Sequence, residues 1–343
     1  LDTVWLEKAR ERTGRLVMPP RALGRLHDIS ERLCAIQQST NPMITSKAIV
    51  VMAGDHGVAT EGVSAYPQEV TGEMIKTFIN GGAGINVIAR HVGADIQVVD
   101  MGVVAALDPE QLQAGDRLLI RKIAKGTSSI ANGPAMSRDD AETAIMTGFQ
   151  VATHLFDSGT QLLGTGDMGI GNTTPSAAIG KVVTGCTLDE MVGRGTGVDD
   201  LGLKRKKTII KNAIEINQPD PTDGIDILAK IGGFEIGGIT GCILAGAYYQ
   251  RPVVIDGFIS TAGALIAGVL APLSMAYVFA GHRSEEPGHR CMLEYLKLSP
   301  ILDLGMRLGE GTGGALAMNI MEGAIKIFKE MHTFEEAGVT DKE

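Results

Sequence analysis

The residues that could do chemistry are concentrated near the C-terminus, in a glycine-rich stretch over residues 304–315 that holds a single carboxylate, Glu310. An apolar helical pattern follows over residues 315–328. Glycines let the backbone adopt positive φ and let a ligand approach closely, and the free N–H groups of a helix start attract anions. Glu310 is therefore either a charge at a helix start or a reactive base, and the stretch alone leaves both interpretations open.

Two segments match the GxGxxG pattern of a dinucleotide-binding turn, residues 164–169 and residues 309–314. That pattern also needs an acidic residue at the end of a second strand, about 20 residues further on. Asp189 and Glu190 have this offset from the first match, but their surroundings do not resemble a buried strand. The second match is followed by one helix only. In a chain with 45 glycines, chance matches are common, so we expect no nicotinamide cofactor.

A third glycine segment, residues 169–175, opens a predicted helix and is a good anion site. Thr173 or Thr174 could cap this helix, and simple capping is the alternative interpretation. A further glycine turn over residues 193–200 precedes the densest basic run, residues 204–207. Such runs are usually solvated helix faces, but here a phosphate held by backbone amides and by Lys206 is a plausible alternative.

Other common catalytic patterns are missing from the sequence. It contains no GxxxxGK[ST] phosphate loop and no GxSxG elbow. His282 and His289 flank two glutamates, but Pro287-Gly288 breaks any helix that would present the two imidazoles together. We therefore expect a loop with polar contacts there and no metal site.

Composition excludes several classes of protein. The 343 residues carry a net charge of −9, and no basic cluster is long enough to follow a nucleic-acid backbone. The sequence has no apolar stretch of about 18 residues, so we expect no membrane span. Its four cysteines are far apart and form no CxxC pair, which argues against a zinc site or a disulfide framework and favours a reducing, cytoplasmic location.

Short apolar runs alternate with longer helical patterns along most of the chain, which predicts an α/β fold with a doubly wound, mainly parallel Rossmann-like sheet. Nearly every predicted strand ends in glycine next to a polar residue, and ligands bind at the carboxyl ends of strands in such sheets. The strands are predicted at residues 48–52, 96–100, 161–164, 253–256 and 276–279, with a weaker candidate at 117–123, and the main helices between them at residues 82–91, 141–158, 175–184, 237–249 and 260–270.

Both ends of the chain are predicted to be helical. Residues 5–36 have a helical pattern that Pro19-Pro20 divides in two, and residues 315–329 form another helix. We expect residues 1–40 and 301–343 to pack together as a small helical domain beside a large α/β domain over residues 41–300.

Taken together, four blocks resemble the nicotinate-nucleotide:dimethylbenzimidazole phosphoribosyltransferase family: residues 166–174, 193–200, 281–289 and 308–315. With residues 52–58 they cover most of the chain in the family's order. The resemblance implies transfer of 5-phosphoribosyl from nicotinate mononucleotide to 5,6-dimethylbenzimidazole, which gives α-ribazole 5′-phosphate for cobalamin. It also implies a homodimer that uses no metal or cofactor and takes a benzimidazole-type base as its second substrate.

The resemblance also assigns roles to individual positions. Glu310 would be the general base that takes a proton from the benzimidazole. The chain departs from the family at Asp167, where a glutamate is usual and the side chain is one methylene longer. The substrate phosphate and ribose would be held by Asp167, Gly169, Gly171, Asn172, Thr173, Gly195, Lys206 and Arg307, and the base pocket would be lined by Tyr66, Met74, Ser284 and Leu308.

The implied reaction suits these residues. The leaving group is a pyridinium that becomes neutral as it departs, so one carboxylate acting as a base is enough. Burial would raise the pKa of Glu310 and a helix start would lower it, and the sequence leaves that balance open. A nicotinamide-dependent oxidoreductase and a non-catalytic nucleotide-binding sensor are the alternative functions. The native base is also open, because Met and Leu side chains adapt to several ring shapes.

Overall fold

The centre of the protein is a seven-stranded parallel sheet with the strand order β3-β2-β1-β4-β5-β6-β7. The computed structural model describes residues 1–340. The predicted α/β class is confirmed, and the first six strands follow the order of doubly wound nucleotide-binding folds. The strands are β1 (Lys47–Gly54), β2 (Asp95–Gly102), β3 (Leu118–Ile120), β4 (Leu162–Met168), β5 (Val253–Ile255), β6 (Val278–His282) and β7 (Pro300–Leu302).

Within residues 1–340, helices cover both faces of the sheet. Short 3₁₀ helices occupy Gly57–Glu61, Gly115–Arg117 and Pro272–Tyr277. The α-helices are α1 (Thr3–Arg15), α2 (Arg25–Gln37), α3 (Val70–Ile79), α4 (Gly84–Val92), α5 (Arg138–Asp157), α6 (Thr173–Thr184), α7 (Leu188–Met191), α8 (Asp200–Asn217), α9 (Gly224–Ile231), α10 (Phe234–Tyr248), α11 (Phe258–Leu270), α12 (Gly288–Leu296) and α13 (Thr312–Glu330).

Strand β1 shows why the predicted strands had continuous apolar sequences. All eight of its residues are buried. Because successive side chains of a strand point to opposite faces, Val50 and Met52 join the core formed with α5, α6, α9, α10 and α11. Ile49 and Val51 join the other core, which α2, α3, α4 and α13 complete. A strand covered on both faces has no polar side to alternate with.

The sheet differs from the prediction at one edge. Strand β6 begins at Val278, two residues after the predicted start, because a 3₁₀ helix occupies residues 272–277. Strand β7 was not predicted. It is only three residues long and half-buried, begins with a proline, and pairs with β6 alone, which is where proline is tolerated in a sheet.

The two ends of the chain meet on one side of the molecule. The Arg12 guanidinium donates to the carbonyls of Phe328 and Lys329 at 2.8 and 3.1 Å. Ala9, Cys34 and Phe328 form a small buried cluster of their own. Helices α1 and α2 therefore pack with the end of α13. Residues 341–343 of the predicted small domain lie outside the described residues.

The prediction of no disulfide is wrong for one pair of cysteines. Cys186, just after α6, is bonded to Cys291 on α12, 105 residues away in sequence. No local spacing pattern reports such a pair, because packing of α12 against α6 and α7 brings the two together. Cys34 and Cys242 are buried free thiols. None of the helices in residues 1–340 combines the length and apolar character needed to cross a membrane.

Candidate active site

A cavity of about 470 Å³ opens at the carboxyl edge of the sheet, where the glycine turns after β4, β5 and β6 meet the Glu310 turn. All but two of the residues predicted for the site line this cavity. The exceptions are Gly171, which lies in the turn behind it, and Lys206, which reaches the turn from α8. The predicted residues that line it are Tyr66, Met74, Asp167, Gly169, Asn172, Thr173, Gly195, Ser284, Arg307, Leu308 and Glu310.

One end of the cavity is the turn between β4 and α6. Gly171 has φ of 89°, a conformation that favours glycine. Asn172 precedes α6, but its side chain does not cap the helix. It donates instead to Asp167 Oδ2 at 2.9 Å. The alternative interpretation, capping by Thr173 or Thr174, is therefore wrong, and the start of α6 has no side-chain cap to compete with an anion.

Lys206 supplies the positive charge at this end. The residue is fully buried, and its Nζ donates to Thr173 Oγ1 at 2.6 Å. Burial lowers the pKa of Lys206 to about 8, while the nearby Glu286 carboxylate raises it. Gly195 lies against the same two groups, since a Cβ there would be 2.7 Å from Thr173 Oγ1 and 3.2 Å from Lys206 Nζ. A desolvated cation beside an uncapped helix start suits a phosphate.

Glu310 occupies an unusual backbone conformation. Gly309, Glu310 and Gly311 have φ of 83°, 63° and 94°, so three consecutive residues are left-handed and the middle one is not glycine. Such conformations persist where the surrounding structure holds them. The Glu310 residue is 5% exposed, and its Oε2 accepts from the Ile85 N–H at 3.0 Å, at the start of α4.

The surroundings of Glu310 give the direction in which its pKa shifts. Burial is the largest effect and raises the pKa of Glu310, the Ile85 N–H opposes it, and the Asp256 carboxylate raises it further. The helix start that stabilises the charged form belongs to α4, not to α13, which Glu310 precedes in sequence. A buried carboxylate with a raised pKa is a better proton acceptor than an exposed one.

Asp167 is the second carboxylate of the cavity. Burial raises the pKa of Asp167 to about 8, with further contributions from Asp256 and Glu310, while the Asn172 amide opposes the shift. At neutral pH this side chain therefore retains its proton and can donate a hydrogen bond. It lies beside the Glu310 turn, since a Cβ on Gly309 would be 3.6 Å from both Asp167 oxygens.

Asp256, which follows β5, holds the Glu310 turn through hydrogen bonds to its backbone. Its Oδ1 accepts from the N–H groups of Gly313 and Gly314 at 2.7 and 3.0 Å, and its Oδ2 from Gly311 at 3.1 Å. His282 Nε2 is 3.5 Å from the same Oδ1. The strand-end pattern placed Asp256 at the correct edge, but no sequence signal connected it to the Glu310 turn.

Apolar side chains form much of the remaining cavity wall. Tyr66 and Leu308 remain 57% and 59% exposed, which leaves them free to contact a ligand. The sequence analysis did not identify the apolar lining residues, because such side chains suit a hydrophobic core equally well. His282 and Gly257 lie in strand-end turns, and that position could have identified them as lining residues. The missed lining residues are Val70, Met168, Ile170, Thr196, Gly257, Phe258, Ile259, His282, Glu286 and Gly309.

Ser284 is placed by His289, which lies outside the cavity. The Ser284 N–H donates to His289 Nδ1 at 2.8 Å, so the other nitrogen carries the proton and faces Thr261 Oγ1 at 2.8 Å. Burial lowers the pKa of His289 to about 3, and the ring is neutral. The expected loop with polar contacts is therefore present. Within residues 1–340, no three His, Cys, Asp or Glu side chains are arranged to hold a metal ion.

Comparison with known proteins decides the family. A family model described as phosphoribosyltransferase matches residues 1–339. The chain belongs to this phosphoribosyltransferase family. It is 51% identical over 342 residues to the nicotinate-nucleotide--dimethylbenzimidazole phosphoribosyltransferase of Chloroflexus aggregans, covering 100% of this chain and 96% of the relative. The protein of the same name from Geotalea uraniireducens is 50% identical over 343 residues, with the same coverage.

Solved structures agree with this membership of the phosphoribosyltransferase family. The crystal structure of CobT from Thermus thermophilus is 44% identical and superposes with a TM-score of 0.94, covering 99% of this chain and 100% of that one. The resemblance inferred from the glycine-rich blocks is confirmed, and the comparisons do not support the oxidoreductase or sensor alternatives.

Proposed function

We propose that this chain transfers the 5-phosphoribosyl group of nicotinate mononucleotide to 5,6-dimethylbenzimidazole, with inversion at C1′. The products are α-ribazole 5′-phosphate and nicotinate, and the product supplies the nucleotide loop of cobalamin. The observation that carries the proposal is one cavity lined by Thr173, which the buried Lys206 ammonium contacts, by the apolar side chain of Leu308 and by the buried carboxylate of Glu310. The names of the close relatives support the same substrates.

The phosphate of the nucleotide binds at the start of α6. Lys206 Nζ and Thr173 Oγ1 are already bonded to each other at 2.6 Å, so both groups are available to one anion. Arg307 also lines the cavity and donates to the Gly195 carbonyl at 3.3 Å. A glycine turn, a helix start and a buried ammonium together are a strong phosphate site.

The ribose lies between the phosphate and the two carboxylates, next to Asp167. Because burial raises the pKa of Asp167 to about 8, its protonated carboxyl group donates a hydrogen bond to a ribose oxygen. A glutamate at position 167 would reach one methylene further. In this chain the Asn172 amide donates to Asp167 Oδ2 at 2.9 Å and holds the shorter side chain in place.

The base binds between the apolar side chains of the cavity mouth and Glu310. A benzimidazole nitrogen attacks C1′ from the face opposite nicotinate, and the C1′–N bond breaks with its electron pair moving to the pyridine nitrogen. The other N–H of the benzimidazole gives its proton to Glu310, so the new nucleotide carries no extra charge. General-base help of this kind contributes about 10²–10⁴-fold in rate, and alignment of the two rings contributes more.

The test is a chromatographic assay of nicotinate release with a panel of benzimidazoles, phenols and purines. We expect release that depends on an added base, with a riboside phosphate formed in equal amount. Nicotinate release at the same rate without a base would indicate a hydrolase. Saturable NADH binding without any transfer would restore the oxidoreductase alternative.

We further propose that the protein works as a homodimer in the cytoplasm. The exposed apolar side chains Tyr66, Leu304 and Leu308 support an interface near the cavity mouth, and light scattering after size exclusion tests the dimer. Phosphorylated nucleotides are held inside cells, which supports the location. The Cys186–Cys291 bond would then be largely reduced in the cell, and thiol alkylation before lysis tests this.

We also propose the division into a large domain of residues 41–300 and a small helical domain of residues 1–40 with 301–343. The contacts of α1 and α2 with the end of α13 support it. Strand β7 spans the proposed boundary and pairs with β6. Limited proteolysis with mass spectrometry tests whether residues 38–46 form the first accessible connection.

A further inference from the structure

Asp256 follows β5 directly and is fully buried. Its carboxylate accepts three backbone N–H groups, those of Gly311, Gly313 and Gly314, from a segment 55 to 58 residues further along the chain. Buried carboxylates usually need charged partners or several donors, and here the donors are two N–H groups in the first turn of α13 and that of its N-cap residue, Gly311. Asp256 therefore caps a helix to which it does not belong.

The start of α13 has no local alternative to this cap. The residue in the N-cap position is Gly311, which has no side chain. A side chain on Gly313 is excluded because its Cβ would lie 2.0 Å from the His282 ring. Since the preceding turn holds Glu310 in a left-handed conformation between two glycines, its geometry depends on contacts made from outside the segment.

We propose that Asp256 is the positioning residue of the reaction, fixing the backbone that carries Glu310 so that its carboxylate faces the cavity. The inference rests on the proposed role of Glu310 as the general base. Asp256 binds Gly311, the residue directly after Glu310, and it does not itself line the cavity. The Asp256 carboxylate also raises the pKa of Glu310, which increases the proton affinity of the base.

Asp100 provides a matched comparison. It lies in the last part of β2, is also fully buried, and accepts the N–H groups of Gly102 and Val103 at 3.1 and 2.8 Å. These donors are the last residue of β2 and the residue after it, which do not line the cavity, and Lys122 Nζ lies 3.2 Å from Asp100 Oδ2. Substituting Asp100 therefore measures the loss of a buried strand-end carboxylate without disturbing the Glu310 turn.

The experiment compares D256N and D256S with D100N, each also combined with E310Q. In D256N, the Asn oxygen still accepts from Gly313 and Gly314, but its amide meets the Gly311 N–H. Displacing the turn by about 1 Å should lower kcat by about 10²-fold. The Kd of nicotinate mononucleotide, measured by calorimetry, should change by less than about threefold, and D100N should keep kcat within about threefold of the wild type.

The double variant separates positioning from general stability. If Asp256 acts through Glu310, D256N should lower the residual rate of E310Q by no more than about threefold. The inference would be overturned if the kcat of the double variant fell by the product of the two single-variant factors. It would also be overturned if D256N weakened nucleotide binding as much as kcat, because Asp256 would then be a structural residue. Failure of both D256N and D256S to fold would do the same.

The outcomes also separate this inference from the proposed function. Wild-type kcat in E310Q would remove Glu310 as the base, and both proposals would fail together. A large loss in E310Q with D256N matching D100N would overturn the positioning role alone. A loss of kcat in D256N that is absent from D100N, and that does not appear when D256N is added to E310Q, would support both the positioning role of Asp256 and the proposed function.

Discussion

Two segments of the chain share the GxGxxG spelling, residues 164–169 and residues 309–314, and the fold uses them differently. The first is the end of β4 and the turn toward α6, as in a nucleotide-binding fold. The second follows no strand. It is a loop of three left-handed residues that opens α13. The motif therefore indicates that both segments need glycine, but it does not indicate that the two segments have the same function.

Two glycines, Gly166 in the first turn and Gly311 in the second, let the two turns pack against each other. A Cβ on Gly166 would be 2.3 Å from the Glu310 carbonyl oxygen, and a Cβ on Gly311 would be 3.4 Å from Gly166 Cα. This close packing places Asp167 and Glu310 on one cavity. Burial raises the pKa of both carboxyl groups, but Asp167 faces an amide and Glu310 faces a backbone N–H. Two carboxyl groups in different surroundings can take different roles.

The largest expected effect is at the second turn. E310Q keeps the size of the side chain but removes the proton acceptor, so kcat should fall by about 10²–10⁴-fold. Binding of nicotinate mononucleotide, measured by calorimetry, should change little, because the phosphate end of the cavity is untouched. Equal loss of binding and turnover would mean that Glu310 holds the turn together rather than accepting a proton.

The contact between the turns is tested by G166A. The added Cβ must displace the Glu310 carbonyl, which is backbone and cannot rotate away. A shift of about 1 Å in the catalytic turn should lower kcat by about 10²-fold. The control is G323A in α13, where a Cβ would meet nothing within 4 Å. If G166A and G323A have the same activity, the two turns are not coupled in the way described.

Much of this arrangement followed from sequence patterns, and the remainder depended on contacts between distant segments. The buried strands were visible as continuous apolar runs, and the polar residues after them marked the correct edge of the sheet. The bond from Asp256 to the turn after Glu310 spans 55 residues and leaves no local pattern. Val70 and Ile259 line the cavity but have side chains that suit a core equally well.

A substitution at the phosphate site of the first turn should weaken nucleotide binding more than it lowers kcat. K206A removes the buried ammonium that bonds Thr173, and a charge-assisted contact of about 1.5–3 kcal/mol corresponds to about a tenfold to hundredfold rise in the nucleotide KM. The control is K207A, whose ammonium pairs with the exposed Asp189. Steady-state kinetics with varied nicotinate mononucleotide measures both. An unchanged KM in K206A would remove Lys206 from the phosphate site.

The smallest effect concerns the charge on Asp167. Its pKa is raised to about 8 in the folded protein, against about 3.9 in an unfolded chain. Between these values the folded state holds a proton that the unfolded state releases, so this stabilising contribution is complete below about pH 4 and is lost as the pH rises toward 8. D167N carries no titrating proton and lacks this dependence.

The free energy of unfolding of D167N relative to the wild type should therefore increase by about 1 kcal/mol or more between pH 5 and pH 7.5, and by at most about 1.4 kcal/mol per pH unit. Urea unfolding at the two pH values measures this free energy. The control is D116N, at an exposed position, whose free energy of unfolding relative to the wild type should be the same at both pH values. A relative stability of D167N that is the same at both pH values would mean that Asp167 is ionised in the folded protein. In that case Asp167 could only accept hydrogen bonds from the ribose, and the two turns would present two acceptors instead of a donor and a base.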